Sequence, residues 1–339
     1  MTKRVLITGG DGFVAAHVMK RILDTTDWNI VAVTLKNHDD LEDRLSFAIN
    51  KDTSKLNRIK TVECDLSKPI SEETNLLFGK VDYLINLASE SHVDRSISDP
   101  ANFIINNVQV ICNVLDWARM HKPEKILHVS TDEVFGPYET EKFLEWDTHL
   151  PSNPYSASKA AQEDIIFAYW RTYSVPVSMI NIMNLVGECQ NVEKFTPMVV
   201  SKLVNNEQID IHTYDGGKVG LRYWLHAGNQ ASALLHVLSL PVALPSNSDK
   251  PNKFNVGGDA EYSNLEWAEK IANIMGKRLS YRLVDSETVR PGYDSRYGLD
   301  NSKLLSSGWV APYNLELELG IIVQWYIDQQ QQQGKTTEM

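Results

Sequence analysis

The sequence predicts an α/β protein, a doubly wound parallel sheet with a smaller C-terminal α+β lobe. Three observations predict it. Apolar runs of strand length alternate with longer helical segments from Arg4 to about Ile182, the pattern of successive βαβ units with helices on both faces of the sheet. The first run breaks directly into a glycine turn that opens a helix. After Asn184 the alternation stops, and loops, short strands and helices mix. The expected division gives residues 1–186 to the sheet domain, with a contribution from about 215–257, and mainly residues 187–339 to the second lobe.

The chain has 339 residues and a formal net charge of −11. Its composition supports a sizeable core, and its acidic balance argues against nucleic acid as a partner. An anionic small molecule stays compatible, because a few local Arg and Lys side chains can hold a diphosphate. Cys64, Cys112 and Cys189 are widely spaced with no CxxC and read as buried thiols in a reducing compartment. No metal site is expected. The start MTKRVLITGG runs into a strand, so no signal peptide is expected. No apolar run is long enough to span a bilayer, and the expectation is a cytoplasmic protein with no membrane partner.

Taken in order, Arg4 to Thr8 is a buried strand, followed by Gly9-x-x-Gly12-x-x-Ala15. Glycines there let the backbone approach a pyrophosphate, which the start of the next helix, at Phe13 and Val14, then holds. This is a Rossmann-type dinucleotide site. Trp28 to Leu35 is the second strand. An acid at its end would grip the adenosine ribose, but Thr34 stands there, with Lys36 nearby and Asp39 and Asp40 further on. NAD is expected, with NADP not excluded. Leu41 to Lys60 reads as a helix plus loop, and Lys60 to Cys64 as the third strand, followed by Asp65 and Leu66. Asp65 either meets the adenine or caps a helix. Val81 to Leu87 is the fourth strand. Small residues after it, Ala88 and Ser89, let a cofactor lie close to backbone, and Ser91, His92 and Arg95 follow at the same strand end. Asn102 to Met120 is a long amphipathic helix carrying Asn107, whose amide could hold a water or backbone near the site.

Ile126 to Val129 is the fifth strand and runs into Ser130, Thr131, Asp132 and Glu133. Tyr155 and Lys159 follow, four apart at the start of a helix from Ser156 to Tyr173, so phenol and ammonium share one helical face. A cation beside a phenol makes it easier to ionise, which suits Tyr155 as a base. Asp132 and Glu133 add acid–base groups beyond what hydride transfer needs. Pro176 to Ile182 is the sixth strand. Further on, Gly187 to Phe195 is a loop, Gln208 to Tyr214 a strand, Asp215-Gly216-Gly217 a turn, and Phe254 to Val256 another short strand. Lys194, Arg222, Arg290 and Arg296 are the cations expected on a diphosphate or nucleoside. The tail beyond the glutamine run is expected to fray.

TGGDGFVAAH, ASESHVDRSI, STDEVFG, PYSASKAAQED, EKFTPMVV, LRYWLH and RPGYDSRYGLD occur in this order. With them the chain resembles the extended short-chain dehydrogenases/reductases that act on nucleotide sugars, the dTDP-glucose 4,6-dehydratases most of all, over about Lys3 to Gln329. The resemblance implies bound NAD and a substrate of the nucleotide-diphosphate-sugar class. It implies that Tyr155 takes the proton of the sugar 4-hydroxyl, with Lys159 lowering its pKa and Thr131 bonding the 4-oxygen. Glu133 would remove the C5 proton and Asp132 protonate the departing 6-hydroxyl. Leu87 joins the cofactor set, and Asn184, Phe195, Asn255, Tyr293 and Tyr297 the substrate set. A homodimer pairing the Asn102–Met120 and Ser156–Tyr173 helices is implied too. Alternatives are another nucleotide-sugar 4,6-dehydratase, an epimerase or a decarboxylase of the same superfamily, and a non-catalytic dinucleotide-binding regulator. Thr34, Leu185, Val186, Tyr223 and Ala227-Gly228-Asn229 depart from the family pattern, all outside the expected catalytic set.

Overall fold

The computed structural model describes residues 2–35, 41–137, 141–258, 260–286 and 295–337. Its strands are β1 (Arg4–Thr8), β2 (Asn29–Thr34), β3 (Ile59–Glu63), β4 (Tyr83–Asn86), β5 (Lys125–Thr131), β6 (Val177–Ile182), β7 (Asn184–Val186), β8 (Ile209–Tyr214), β9 (Lys218–Val219), β10 (Leu221–His226), β11 (Asn252–Val256), β12 (Ala260–Ser263) and β13 (Tyr281–Asp285). Its helices are α1 (Phe13–Thr25), α2 (Leu41–Ile49), α3 (Glu72–Phe78), α4 (Val93–Ser98), α5 (Pro100–His121), α6 (Pro154–Tyr173), α7 (Phe195–Val204), α8 (Ala227–Ser239), α9 (Asn264–Ile274), α10 (Ser302–Ser306) and α11 (Leu315–Thr337).

The main sheet has seven strands in the order β3-β2-β1-β4-β5-β6-β11. Every pairing in it is parallel. Strands such as RVLIT and NIVAVT are apolar nearly throughout, because helices cover both faces of a parallel sheet. On one face α1 and α8 bury Val18, Ile22 and Leu234 against Ile7, Leu127 and Phe254. On the other, α5 and α6 bury Ile111, Leu115, Ile166 and Trp170 against Leu6, Leu84 and Met179. Strand order reverses between β1 and β4, which opens a crevice at the carboxyl ends of the strands.

Two three-stranded sheets, β12-β10-β7 and β13-β8-β9, flank this layer. The hydrophobic pattern does not mark β7 or β10 as strands. β7 has only three residues, and β10 sets Arg222 and Tyr223 among apolar neighbours. The expected Asp215-Gly216-Gly217 turn is present between β8 and β9. Its φ angles of 42°, 76° and 107° lie in the left-handed region that glycine tolerates best.

A third core cluster joins α7, α9 and α11 through Val199, Leu203, Ile271, Leu319 and Ile322. At its centre Trp267 stacks on Trp224 with ring centroids 4.6 Å apart and donates its indole N–H to Thr196 at 3.0 Å. Trp267→Ala is expected to cost about 3–5 kcal/mol of stability, because a cavity and an orphaned hydroxyl acceptor both result. Equilibrium denaturation with intrinsic fluorescence checks this, and a cost under about 1 kcal/mol would mean that the neighbours collapse into the space.

Candidate active site

β5 ends at Thr131, and the chain turns at once into a single 3₁₀ turn, Asp132–Phe135. The Thr131 hydroxyl accepts from the Glu133 N–H at 3.3 Å and donates to Asp132 Oδ1 at 3.0 Å. A side-chain cap at the strand end thus fixes where both carboxyls point. Helix α6 begins at Pro154 with a full capping box between Asn153 and Ser156, which sets its first turn rigidly. The Asn153 amide also reaches Glu133 Oε2 at 3.4 Å. Lys159 Nζ anchors the helix to the strand, donating to the Val129 carbonyl and to Gln162 Oε1, each at 2.8 Å. Thr131, Asp132, Glu133, Tyr155 and Lys159 are thereby brought together, with Thr131, Asp132 and Glu133 near enough to the Tyr155 phenol to influence its ionisation.

Burial, reinforced by the neighbouring Glu133, pushes the Asp132 carboxyl up to about 8. At neutral pH Asp132 is therefore mostly protonated and can give a proton. Burial brings the Lys159 ammonium down to about 7, with Glu163 opposing it. Burial and Glu133 push the Tyr155 phenol well above its ordinary range. That corrects the expectation that Lys159 eases its ionisation: the ammonium is engaged with Val129 and Gln162, and the dominant influences on the phenol are burial and a carboxylate.

The cofactor-binding expectations converge on the crevice between β1 and β4. The Thr8 hydroxyl donates to Asn86 Oδ1 at 2.7 Å and accepts from the N–H groups of Leu87 and Ala88 at 3.0 Å. Gly9 has φ of 64°, and a Cβ on it would stand 3.2 Å from the Ala88 backbone, so a side chain there would press into the cradle. Gly12 caps α1 with no side-chain bond, which leaves the first N–H groups of the helix, those of Phe13 and Val14 among them, for an anion. These residues fit a dinucleotide pyrophosphate. Arg44 of α2 donates to the Asp11 carbonyl and, at 3.1 Å, to Asn191 Oδ1, bracing the glycine turn against the loop after β7.

Other cofactor expectations are placed differently. Thr34 is buried at its strand end, and the register sets Glu63 of β3 directly beside it, so a carboxylate borders that position from the neighbouring strand. Asp65 accepts from the Ser67 N–H and hydroxyl at 3.0 and 2.6 Å and pairs with Lys68; it is a local cap. Leu66 packs in the core, its carbonyl accepting from Asn113. Ser89 is in the loop after β4, its hydroxyl on the Glu90 carbonyl. Asn107 is fully buried, its amide spent on the Glu90 backbone and on Ser158. The amide thus holds backbone, tying the loop after β4 to α6. Lys36, Asp39 and Asp40 lie outside the described residues.

Of the expected substrate residues, Ser91 and Arg95 are exposed beside the start of α4. His92 caps that helix and faces Glu193 with Nε2 3.4 Å from the carboxylate. Asn184 opens β7 and pairs with Trp224. Lys194 caps α7, and Phe195 stacks over Trp224. Arg222 is buried 4.7 Å from the Tyr297 ring and its charge reaches Asp132, so it borders the catalytic turn. Arg296 forms a two-pronged pair with Glu261, both contacts 2.6 Å. Asn255 is wholly buried, its amide donating to the Phe143 carbonyl at 2.9 Å. That bond holds the segment that follows the 3₁₀ turn. Arg290 and Tyr293 lie outside the described residues.

Asn153, Asn181, Glu163, Arg44 and Glu63 escaped the sequence reading. Only Asn153 carried a visible signal, an N-cap residue followed by Pro and, three positions on, a hydrogen-bonding partner.

A family model described as GDP-mannose 4,6 dehydratase matches residues 6–317. Agl12 of Haloferax volcanii, a low-salt glycan biosynthesis protein, is 31% identical over 323 residues, covering 95% of this chain and 98% of that protein. A dTDP-glucose 4,6-dehydratase of Xanthomonas campestris is 32% identical, covering 96% and 93%. Among solved structures, the dTDP-glucose 4,6-dehydratase DesIV of Streptomyces venezuelae, crystallised with NAD bound, superposes with a TM-score of 0.82 at 27% identity, covering 96% of this chain and 97% of that one.

The raised pKa of Asp132 has a consequence for stability. Folding favours its protonated form, so the group costs nothing below about pH 4, and its cost grows as pH rises through about 8. Asp132→Asn is expected to raise Tm at pH 8–9, by about 0.5–2 kcal/mol of stability, and to leave it unchanged near pH 4. Calorimetric scans across that range check it; a lowered Tm at pH 8 would show an ionised, well-paired carboxylate instead.

Proposed function

Because the chain belongs to the GDP-mannose 4,6 dehydratase family of extended short-chain dehydrogenases/reductases, we propose that it is an NAD-dependent nucleotide-sugar 4,6-dehydratase. Its proposed substrate is dTDP-glucose, its products dTDP-4-keto-6-deoxyglucose and water. The observation that carries the proposal is the adjacent pair Asp132 and Glu133, of which Asp132 is held protonated beside Tyr155. An enzyme that only oxidised and re-reduced C4 would have no use for a second proton donor and acceptor.

The glycine turn, the start of α1 and the loop after β4 would hold NAD, and Lys159 would meet its nicotinamide ribose. NAD, when bound, would accept hydride from C4 and return it to C6. Tyr155 would take the proton of the 4-hydroxyl while Thr131 bonds the same oxygen. A 4-ketone acidifies the C5 proton, and Glu133 would remove it. Asp132 would then give its proton to the 6-hydroxyl, which leaves as water, and a proton from Glu133, exchangeable with solvent, would return to C5 as the hydride reaches C6. The basicity of Tyr155 has to come from the loaded site, since burial and Glu133 oppose it in the chain alone. Arg222 would offer a cation on the sugar-diphosphate side, next to Asp132.

A homodimer through α5 and α6 belongs to the same proposal, supported by Ile105, Met120 and Tyr173, which are 59%, 62% and 49% exposed on those helices. A cytoplasmic location is supported by Cys64 and Cys112 standing as thiols.

Incubation with dTDP-glucose in deuterated water is expected to give loss of water with deuterium at C5. Glu133→Gln is expected to lower kcat by about 10²–10⁴-fold and to abolish that label, read by product mass and NMR. Turnover without C5 exchange would point to a 4-epimerase, and carbon dioxide release from a uronic acid substrate to a decarboxylase.

A further inference from the structure

Beneath the Asp132–Phe135 turn lies a second group of charges that this chemistry does not use. Glu163 and Lys253 are 2% and 0% exposed, and their charged atoms stand 2.5 Å apart. Burying two ions costs several kcal/mol each and is recovered only with close pairing and further hydrogen bonds. The pairing is close, and the further hydrogen bonding falls on Glu163, while the Lys253 ammonium is a buried donor with no hydrogen bond beyond its ion pair among the described residues. Glu163 Oε1 accepts from Asn181 Nδ2 at 2.7 Å, and Oε2 faces His149 Nε2 at 3.2 Å. The Lys253 ammonium also lies 4.8 Å from the Phe135 ring and 5.3 Å from that of Trp146.

The placement links this pair to the active site along two routes. The Asn181 amide nitrogen that bonds Glu163 also donates to the Thr131 carbonyl at 2.9 Å. Lys253, on β11, presses on Phe135, the last residue of the catalytic turn. Glu163 also follows Lys159 by one turn of α6 and Tyr155 by two, so all three share one face of the helix. Burial raises the Glu163 carboxyl, but His149 and Lys253 outweigh it and hold it down at about 2. Glu163 therefore stays ionised over the working range and opposes the burial that discharges Lys159. Other titratable groups nearby are His128 of β5, which burial and Lys159 keep neutral, Asp164, 3.9 Å from His149, and, on the Lys253 side, the buried Glu145 and Lys303, whose ammonium donates to the Lys253 carbonyl at 2.7 Å and is pulled down by burial.

We propose that Glu163 is a positioning residue of this site: anchored by Lys253 and His149, it fixes Thr131 through Asn181 and supplies the countercharge for Lys159. The proposal rests on Thr131, Tyr155 and Lys159 being the working groups. Lys253 is what lets an ionised Glu163 sit in the core.

The test is Glu163→Gln, which keeps the acceptor for Asn181 and removes the charge, alongside Glu163→Gln/Lys253→Met, which removes both charges. The double variant is expected to fold where the single one is compromised, since neutral replacement of a buried pair is often tolerated. Two pH profiles are read, kcat with dTDP-glucose and NAD affinity by calorimetry, the second requiring no sugar turnover. In both variants the alkaline limb of each profile is expected to move about one unit lower, as Lys159 loses its proton earlier. At pH 8 kcat should fall about tenfold with KM little changed. Lys253→Arg should keep the wild-type limb. Profiles that superimpose on wild type while Tm drops would make the pair purely structural and overturn the proposal, as would a wild-type NAD profile with no alkaline limb. If no turnover of dTDP-glucose is seen even in wild type, the dehydratase reading fails, and the NAD profiles still decide the role of Glu163.

Discussion

The structure depends on one contact above others, the ammonium of Lys159 donating to the Val129 carbonyl. It pins α6 across the end of β5, and the candidate active site is the corner so formed. Strand order and helix capping bring the two elements near each other. The Lys159 anchor sets Tyr155, one turn earlier, against the turn that carries Asp132 and Glu133. A buried ammonium is costly unless its donors are satisfied. That cost is met by a backbone carbonyl and by Gln162, whose own amide donates to the carbonyl of Asn107 on α5. The anchor therefore reaches through α6 into the next helix and, through Asn107, to the loop after β4.

From that corner the electrostatics follow. Two carboxyl groups adjacent in sequence cannot both ionise freely in a buried turn. Asp132, at 4% exposure, retains its proton, while the half-buried Glu133 has the Asn153 amide near it. Neighbouring acids thus meet different surroundings, which is what the proposed elimination asks of them. Deeper in the core, Glu163 and Lys253 pair, and the turn rests on them.

Much of this was legible in the chain. The parallel sheet follows from apolar runs such as RVLIT and NIVAVT, buried on both faces, and the glycine turn and the Tyr155–Lys159 spacing place the two halves of the site. Local signals were enough because each of these features is set by residues a few positions apart. The features that escaped depend on long-range contacts. Lys253 meets Glu163 across ninety positions of sequence only because β11 joins β6 in the sheet. The same strand buries Asn255, whose amide donates to the Phe143 carbonyl, a contact equally invisible in the sequence. The pKa of Tyr155 was misjudged because spacing on a helix reveals a nearby cation but neither the direction of its hydrogen bonds nor the desolvation around the phenol.

The central claim is that Asp132 holds a proton at neutral pH. Difference infrared spectroscopy of wild type against Asp132→Asn, across pH 5 to 9, measures this directly. The account predicts a protonated-carboxyl band at pH 7, present in wild type and lost in the variant, that fades near pH 8. Absence of that band at pH 7, with only ionised carboxylate at this position, would contradict it.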